Sequence, residues 1–274
     1  MSTKVEAWRE RAKHPEPPEA GSSLAADAIE GLSIESSIWY SMSISSEHLD
    51  FAIDAMRATS TMYPTAYMTV ARTALMGAVN AVWLLAPSTR DERQRRALRF
   101  RADDLRTQVV GLRDMRVMSG APTTARDGLV AQLQERQASL QRVADAMGVQ
   151  EDVTRMRFTQ TDAINWVASY LHGPNSDLLI GATQSMWRSG SAAAHAQLQF
   201  GLMRADRTET IRDGAGGGIV RLRGDLDTDV GPALAAATLT LSEAFRLYDL
   251  RRVRHVQDTP TAPAPTGSSQ ACVP

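Results

Sequence analysis

The chain has 274 residues, of which 43 % are hydrophobic and 22 % charged, and its formal net charge is −1. That is an ordinary globular composition with ample length for a core. It excludes a basic surface over the whole molecule of the kind a dedicated nucleic-acid binder carries, though not a local basic groove. The one cysteine, Cys272, excludes a disulfide framework and any cysteine-based zinc site.

Met1 to Ala12 is charged and has no apolar centre, so it does not read as a secretory signal. The most apolar stretch, Ala74 to Ala86, is shorter than the roughly 20 residues that a membrane span needs. It reads as a buried core helix. The expected compartment is therefore the cytoplasm, with no membrane partner. Lys4 and Lys13 are the only lysines. That skew towards arginine is a coding bias of high-GC bacterial genomes before it is a functional feature.

In chain order, residues 1–24 are expected to be a flexible segment, because His14 to Leu24 is rich in Pro, Gly, Ser and Glu. Ser45 and Ser46 read as helix-start residues before Leu49, Ile53 and Met56. Tyr63-Pro64 breaks the chain. A helix from about Ala66 to Leu85 follows, apolar on most faces and so central. Thr89 and Glu92 form a capping box for an arginine-rich helix, from Arg90 to about Met118. Leu129, Leu133, Leu140, Val143 and Met147 make one helical stripe, stopped by Gly148. A short helix fits Thr161 to Leu171, and a longer one Asp177 to about Arg204. Arg207 to Arg212 and Ile219 to Arg223 alternate around a glycine cluster, which reads as a β-hairpin. A last helix fits Val230 to Val256, with Leu234, Leu239, Leu241, Phe245, Tyr248 and Leu250 available to pack. Gln257 to Pro274 has four prolines and reads as a disordered tail. The expected fold is all-α: an antiparallel multi-helix bundle over 25–256, as a single domain, with a small β-hairpin insertion near 206–223.

Several chemistries lack their residues. The glycines at 214–218 lie between two strand-like runs, and Ile219 stands where a dinucleotide fingerprint needs its third glycine. There is no Gly-Lys pair for a Walker loop, no helical di-iron pattern, no zincin histidine pair and no Gly-x-Ser-x-Gly elbow. Asp103-Asp104 reads as a solvated helix face. No cofactor and no metal site is expected. The arginine-rich helix offers either a guanidinium row to phosphates or, preferred here, a surface helix with pairs such as Arg99 to Asp103 and Glu92 to Arg96.

The remaining chemical signal is Met186-Trp187-Arg188-Ser189-Gly190-Ser191-Ala192-Ala193-Ala194-His195. Arg188 and His195 are seven apart, so a continuous helix puts them within about 20° of one face and about 10.5 Å apart along its axis. Ser191, four before His195, is placed to orient the imidazole. Imidazole titrates near neutrality and guanidinium offers planar donors to phosphate. The alternative is a buried histidine bonded to Ser191 or a backbone carbonyl where small residues let another helix approach.

On this motif, Arg188, six residues, then His195, the chain resembles the HEPN superfamily of small helical bundles, many of which cleave RNA. The resemblance implies a metal-independent endoribonuclease or RNA-binding protein. Catalytic Arg188, Ser191 and His195 would converge with those of a second protomer, so a homodimer and RNA are the implied partners. Histidine would move protons while the 2′-OH attacks its phosphate, and arginine would support the developing charge. The layout also looks like that of other helical proteins of high-GC bacteria, a resemblance that brings no activity with it. A non-catalytic helical protein–protein interaction module is the alternative, and a small-molecule regulator with a pocket between helices is a third class.

Two polar residues inside the central helix need explaining. Arg72 either pairs with Asp50 or Asp54 on the preceding helix, the preferred reading, or lines the same pocket as His195. Asn80 lies on roughly the same face. Trp166, Tyr170 and Trp187 read as core aromatics rather than a platform for bases.

Overall fold

The computed structural model describes residues 2–116, 123–212 and 218–255. Helix α3, Ile34–Thr59, runs through the serines read as a helix start. Ser45 and Ser46 are buried mid-helix. The hydroxyls of Ser37, Ser41 and Ser46 donate to the carbonyls four residues before them at 2.8–3.0 Å. A serine bonded back into its own helix need not start one. These small residues also admit a neighbour. A Cβ built on Gly77 of α4, Pro64–Leu85, would lie 2.5 Å from the Ser41 carbonyl oxygen, so α3 and α4 cross backbone to backbone there.

Helix α4 starts on Pro64, whose missing N–H is no loss at a first-turn position. Among the described residues it is the one helix long and apolar enough to cross a membrane, and most of that window is buried inside the bundle. Helix α10, Gly231–Arg252, lies along α3 and α4 and is entered through a π-helical turn at Leu226–Val230. Leu234, Leu241, Phe245 and Tyr248 of α10 are buried, whereas Leu239 and Leu250 are exposed.

The N-terminal segment differs from its sequence reading. Helix α1, Ser2–Ala12, packs on α3. Its Val5 and Trp8 are buried, with Trp8 stacked on Phe245 at 5.5 Å. Two apolar residues three apart among charges are too few to read as a stripe, yet they suffice to dock one turn. Further on, Ser22 caps the short helix α2, Ser23–Ala26, and Leu24 is buried. The reason for this order is Asp27, which is fully enclosed and bidentate to Arg93 at 2.6 Å. Arg93 also donates to the carbonyls of Pro87 and Ser88. Arg251 donates to those of Leu85 and Pro87 and so closes the end of α4.

Helix α5 is Arg90–Asp114 and helix α6 is Thr124–Ala146. They form an antiparallel pair, and α6 ends at Gly148 with φ +69°. The Thr89 hydroxyl accepts from the Glu92 N–H, but the Glu92 carboxylate turns to Arg96 at 2.7 Å, so only half of the capping box forms. The arginines of α5 are largely paired: Arg95 with Asp91, Arg101 with Asp104 and Arg106 with Asp103. Arg99 reaches Glu151 rather than Asp103.

Helices α7, Gln160–His172, and α8, Asp177–Ala194, follow, and both pack on α4. The long helix expected to reach Arg204 is instead broken at 195–197, and α9, Leu198–Leu202, is separate. Ala205–Arg212 (β1) and Gly218–Leu222 (β2) pair antiparallel, with a shift of register between Asp206 and Ile211. The glycine cluster at 214–217 and the tail with Cys272 lie outside the described residues. The fold class is an all-α bundle.

Candidate functional site

Helix α8 is short on burial: Thr183, Gly190 and Ala192 are its buried positions. Gly190 makes the approach to α4 possible. A Cβ there would lie 2.5 Å from Arg72 Cβ and 2.6 Å from the Met68 carbonyl oxygen. A helical glycine costs about 1 kcal/mol relative to alanine, so its presence in mid-helix was the sequence signal for this close crossing.

At about 100° per residue, Arg188 and His195 lie roughly 160° and 140° around α8 from Gly190. Both therefore face away from α4, and both are exposed. Neither side chain has a hydrogen bond or ion pair among the described residues. His195 is the C-cap of α8, and its own N–H donates to the Ser191 carbonyl at 3.0 Å. Ser191 is half-buried, about 100° around α8 from Gly190 and so nearer α4 than either. The enclosed histidine of the alternative reading is not what the structure holds. The helix stops directly after His195: Ala196 adopts φ +52°, Ala196 N–H donates to the Ala193 carbonyl, and Gln197 N–H donates to that of Ala192. This is the glycine-type helix ending with alanine in the left-handed position.

Arg72 is not paired as the sequence reading preferred. Asp50 is held by Arg9 at 3.0 Å, and Asp54 lies 3.9 Å from Arg57. The physical reason is that Arg72 turns towards α8, under Gly190, about 140° around α4 from Gly77, which meets α3. The Arg72 Nε is enclosed without an acceptor. Burial pushes its guanidinium down from the usual arginine range. The Trp187 indole N–H, three residues before Gly190, and the Asn80 Oδ1 are likewise enclosed without partners.

The other aromatics are occupied by the protein itself. Trp166 stacks on Tyr170 at 5.6 Å, and the Arg96 guanidinium sits 3.9 Å from the Trp166 ring and 4.9 Å from that of Trp83. Trp166 is thus held between Tyr170 and Arg96, whereas Tyr170, read as a core aromatic, is 40 % exposed. Concave surfaces lie elsewhere. A cleft of about 540 Å³ is lined by Gln134, Gln137, Gln141 and Gln150. A groove of about 470 Å³ between α5 and α6 is lined by Leu112, Leu129 and Leu133. Neither involves α8. Among the described residues no group of three or more His, Cys, Asp or Glu is arranged to hold a metal ion.

No protein-family model, curated protein or solved structure matches the chain.

Proposed function

We propose that the protein is a HEPN-like, metal-independent endoribonuclease acting in the cytoplasm, with Arg188, Ser191 and His195 as its catalytic groups. The observation that carries this reading is that Arg188 and His195 share one exposed flank of α8 with no intramolecular partner. A histidine and an arginine kept for packing would be enclosed and bonded. Nε2 or Nδ1 of His195 takes the proton of an RNA 2′-OH as the O2′–P bond forms. The P–O5′ bond breaks, the 5′-oxygen leaves with a proton taken from water, and a 2′,3′-cyclic phosphate remains. Arg188 donates to the phosphoryl oxygens as negative charge builds on them. Ser191, one turn before His195, would turn its hydroxyl to the imidazole once RNA is bound. The roughly 10.5 Å rise between the two Cα atoms suits a groove completed by a second copy, so the working unit is a homodimer.

One observation favours the alternative, a protein–protein interaction module. Leu178 on α8, Leu198 on α9 and Met203 just after it are 84 %, 71 % and 80 % exposed. Large apolar side chains this exposed, two of them within eight residues of His195, suit an interface.

Cleavage of labelled single-stranded RNA in EDTA, beside His195→Ala and Arg188→Ala, tests the first reading. It predicts cleavage that either substitution abolishes while circular dichroism stays unchanged. A wild type inert on varied RNAs sinks it and leaves the interaction module.

A further inference from the structure

The apolar stripe of α6 is interrupted. Leu133, Leu140 and Ala144 are buried on it, and the step of seven from Leu133 to Leu140 passes over Gln137, which is only 8 % exposed. A buried amide is normally hydrogen-bonded within its protein. The Gln137 amide has no such partner among the described residues. Neither of its amide atoms is among those closed off from solvent, and the residue lines the cleft of about 540 Å³, so its amide end opens into that cleft.

The cleft is built by the turn that follows α6. Gln134, Gln137, Ala138 and Gln141 lie within about 100° of one another around the helix. Residues 150–154 fold back beside them. Gln141 fixes that return: its Oε1 accepts from the Val153 N–H at 2.9 Å and its Nε2 donates to Asp145 Oδ1 at 2.8 Å. Asp152 Oδ1 accepts from the N–H and the hydroxyl of Thr154, both at 2.8 Å. Those bonds hold the Asp152 carboxyl below the usual aspartate range. The amides of Gln134, Gln137 and Gln150 are left without partners among the described residues.

The lining selects its ligand by charge and by hydrogen-bonding type. No arginine or lysine lines the cleft and one carboxylate does, which disfavours an anion. No aromatic ring lines it, so a planar base has nothing to stack on. Each free amide both donates and accepts, as a hydroxyl does, and a carboxylate accepts from neighbouring hydroxyls. The volume falls within the range of about 300–1,000 Å³ usual for small-molecule sites.

We propose that this cleft binds a neutral polyhydroxylated ligand, a mono- or disaccharide, with Gln137 as its buried anchor and Gln134, Gln150 and Asp152 around it. Ala138 and Val153 supply the apolar contact for the C–H groups of the sugar. The site lies away from α8 and does not depend on the ribonuclease reading.

The full-length protein is titrated by calorimetry with glucose, galactose, maltose and lactose, and with glucose 6-phosphate as the charged counterpart. Saturable binding of at least one neutral sugar is expected, with the phosphate weaker than glucose. Gln137→Leu restores the apolar stripe, so its Tm is expected to equal or exceed that of the parent. Its affinity for the sugar is expected to fall about tenfold or more, since hydroxyls bonded to that amide lose their partner. Binding of none of the four neutral sugars overturns the site. Binding that Gln137→Leu leaves unchanged places the sugar elsewhere and also overturns it. Tighter binding of the phosphate than of glucose overturns the neutral class of ligand. Should Gln137→Leu not fold, Gln134→Ala, at an exposed position of the same lining, decides. Weakened sugar binding supports the site, and unchanged binding overturns it.

Discussion

Gly190 of α8 rests on Arg72 of α4 with no room for a methyl group between them, since a Cβ at 190 would fall 2.5 Å from Arg72 Cβ. The second atom it would meet is a backbone carbonyl, which cannot swing aside. Gly190→Ala is therefore expected to destabilise the fold by about 1–3 kcal/mol, the range for overpacking a tight contact, despite the better helix propensity of alanine. Urea unfolding measures it. A variant as stable as the parent means that the two helices slide apart without loss.

Ala196 holds φ +52° at the end of α8. An L-residue in that region costs roughly 1–2 kcal/mol, and glycine avoids it. Ala196→Gly is expected to raise stability by up to about 1 kcal/mol, after the entropy that glycine adds to the unfolded chain. Thermal unfolding reads this as a higher Tm. A fall would show that the methyl group packs against something that outweighs the backbone strain.

Asp27 and Arg93 are the enclosed pair that ties the N-terminal segment to α5, with side-chain exposures of 0 % and 4 %. Removing one partner leaves the other charged and buried, which costs about 3–5 kcal/mol. Asp27→Asn and Arg93→Met are each expected to lose that much. The double change Asp27→Leu with Arg93→Met is expected to recover part of it. A double-mutant cycle in urea checks both the losses and the recovery. Purely additive losses would mean that the two side chains do not act as a pair.

Glu16 accepts from Arg11 at 2.6 and 2.7 Å. These bonds hold its carboxyl below the usual glutamate range, against the smaller opposing effect of burial. A carboxyl lowered in the folded state stabilises the fold above its unfolded value of about 4.3 and loses that contribution as pH falls through the folded value. The wild type is thus expected to be more stable than Glu16→Gln at pH 7, with the two stabilities converging below about pH 4. Urea midpoints from pH 7 down to pH 3 test it. A gap that stays constant with pH would assign the loss to packing rather than to the charge.

The helix ends show what was readable. α6 and α8 close with the same pair of backbone bonds. Gly148 N–H donates to Asp145 and Val149 N–H to Ala144, while Ala196 N–H donates to Ala193 and Gln197 N–H to Ala192. The first end was legible because glycine marks the left-handed residue. The second was not, because alanine carries no such mark, so the helix was read on to Arg204. Ser45 and Ser46 misled in the opposite sense: they are helix-starters by type, but both are buried mid-helix, where the Ser46 hydroxyl donates to the Met42 carbonyl one turn back. In the site, the shared flank of Arg188 and His195 followed from their spacing of seven. The solitary state of Arg72 did not, because it depends on which face of α4 meets α8 and which meets α3, and Arg72 lies under Gly190 of α8.

The sequence by itself determined the class of the fold, the central place of α4, the arginine-rich α5 and the face that Arg188 shares with His195. Those follow from local periodicity and from residues whose backbone preferences are strong. Only the tertiary structure decided the docking of α1, the buried Asp27–Arg93 pair, the exposure of His195 and the lack of a partner for Arg72. Each of these is settled by which of several distant groups wins one enclosed position, and that competition leaves no trace in the spacing of residues along the chain.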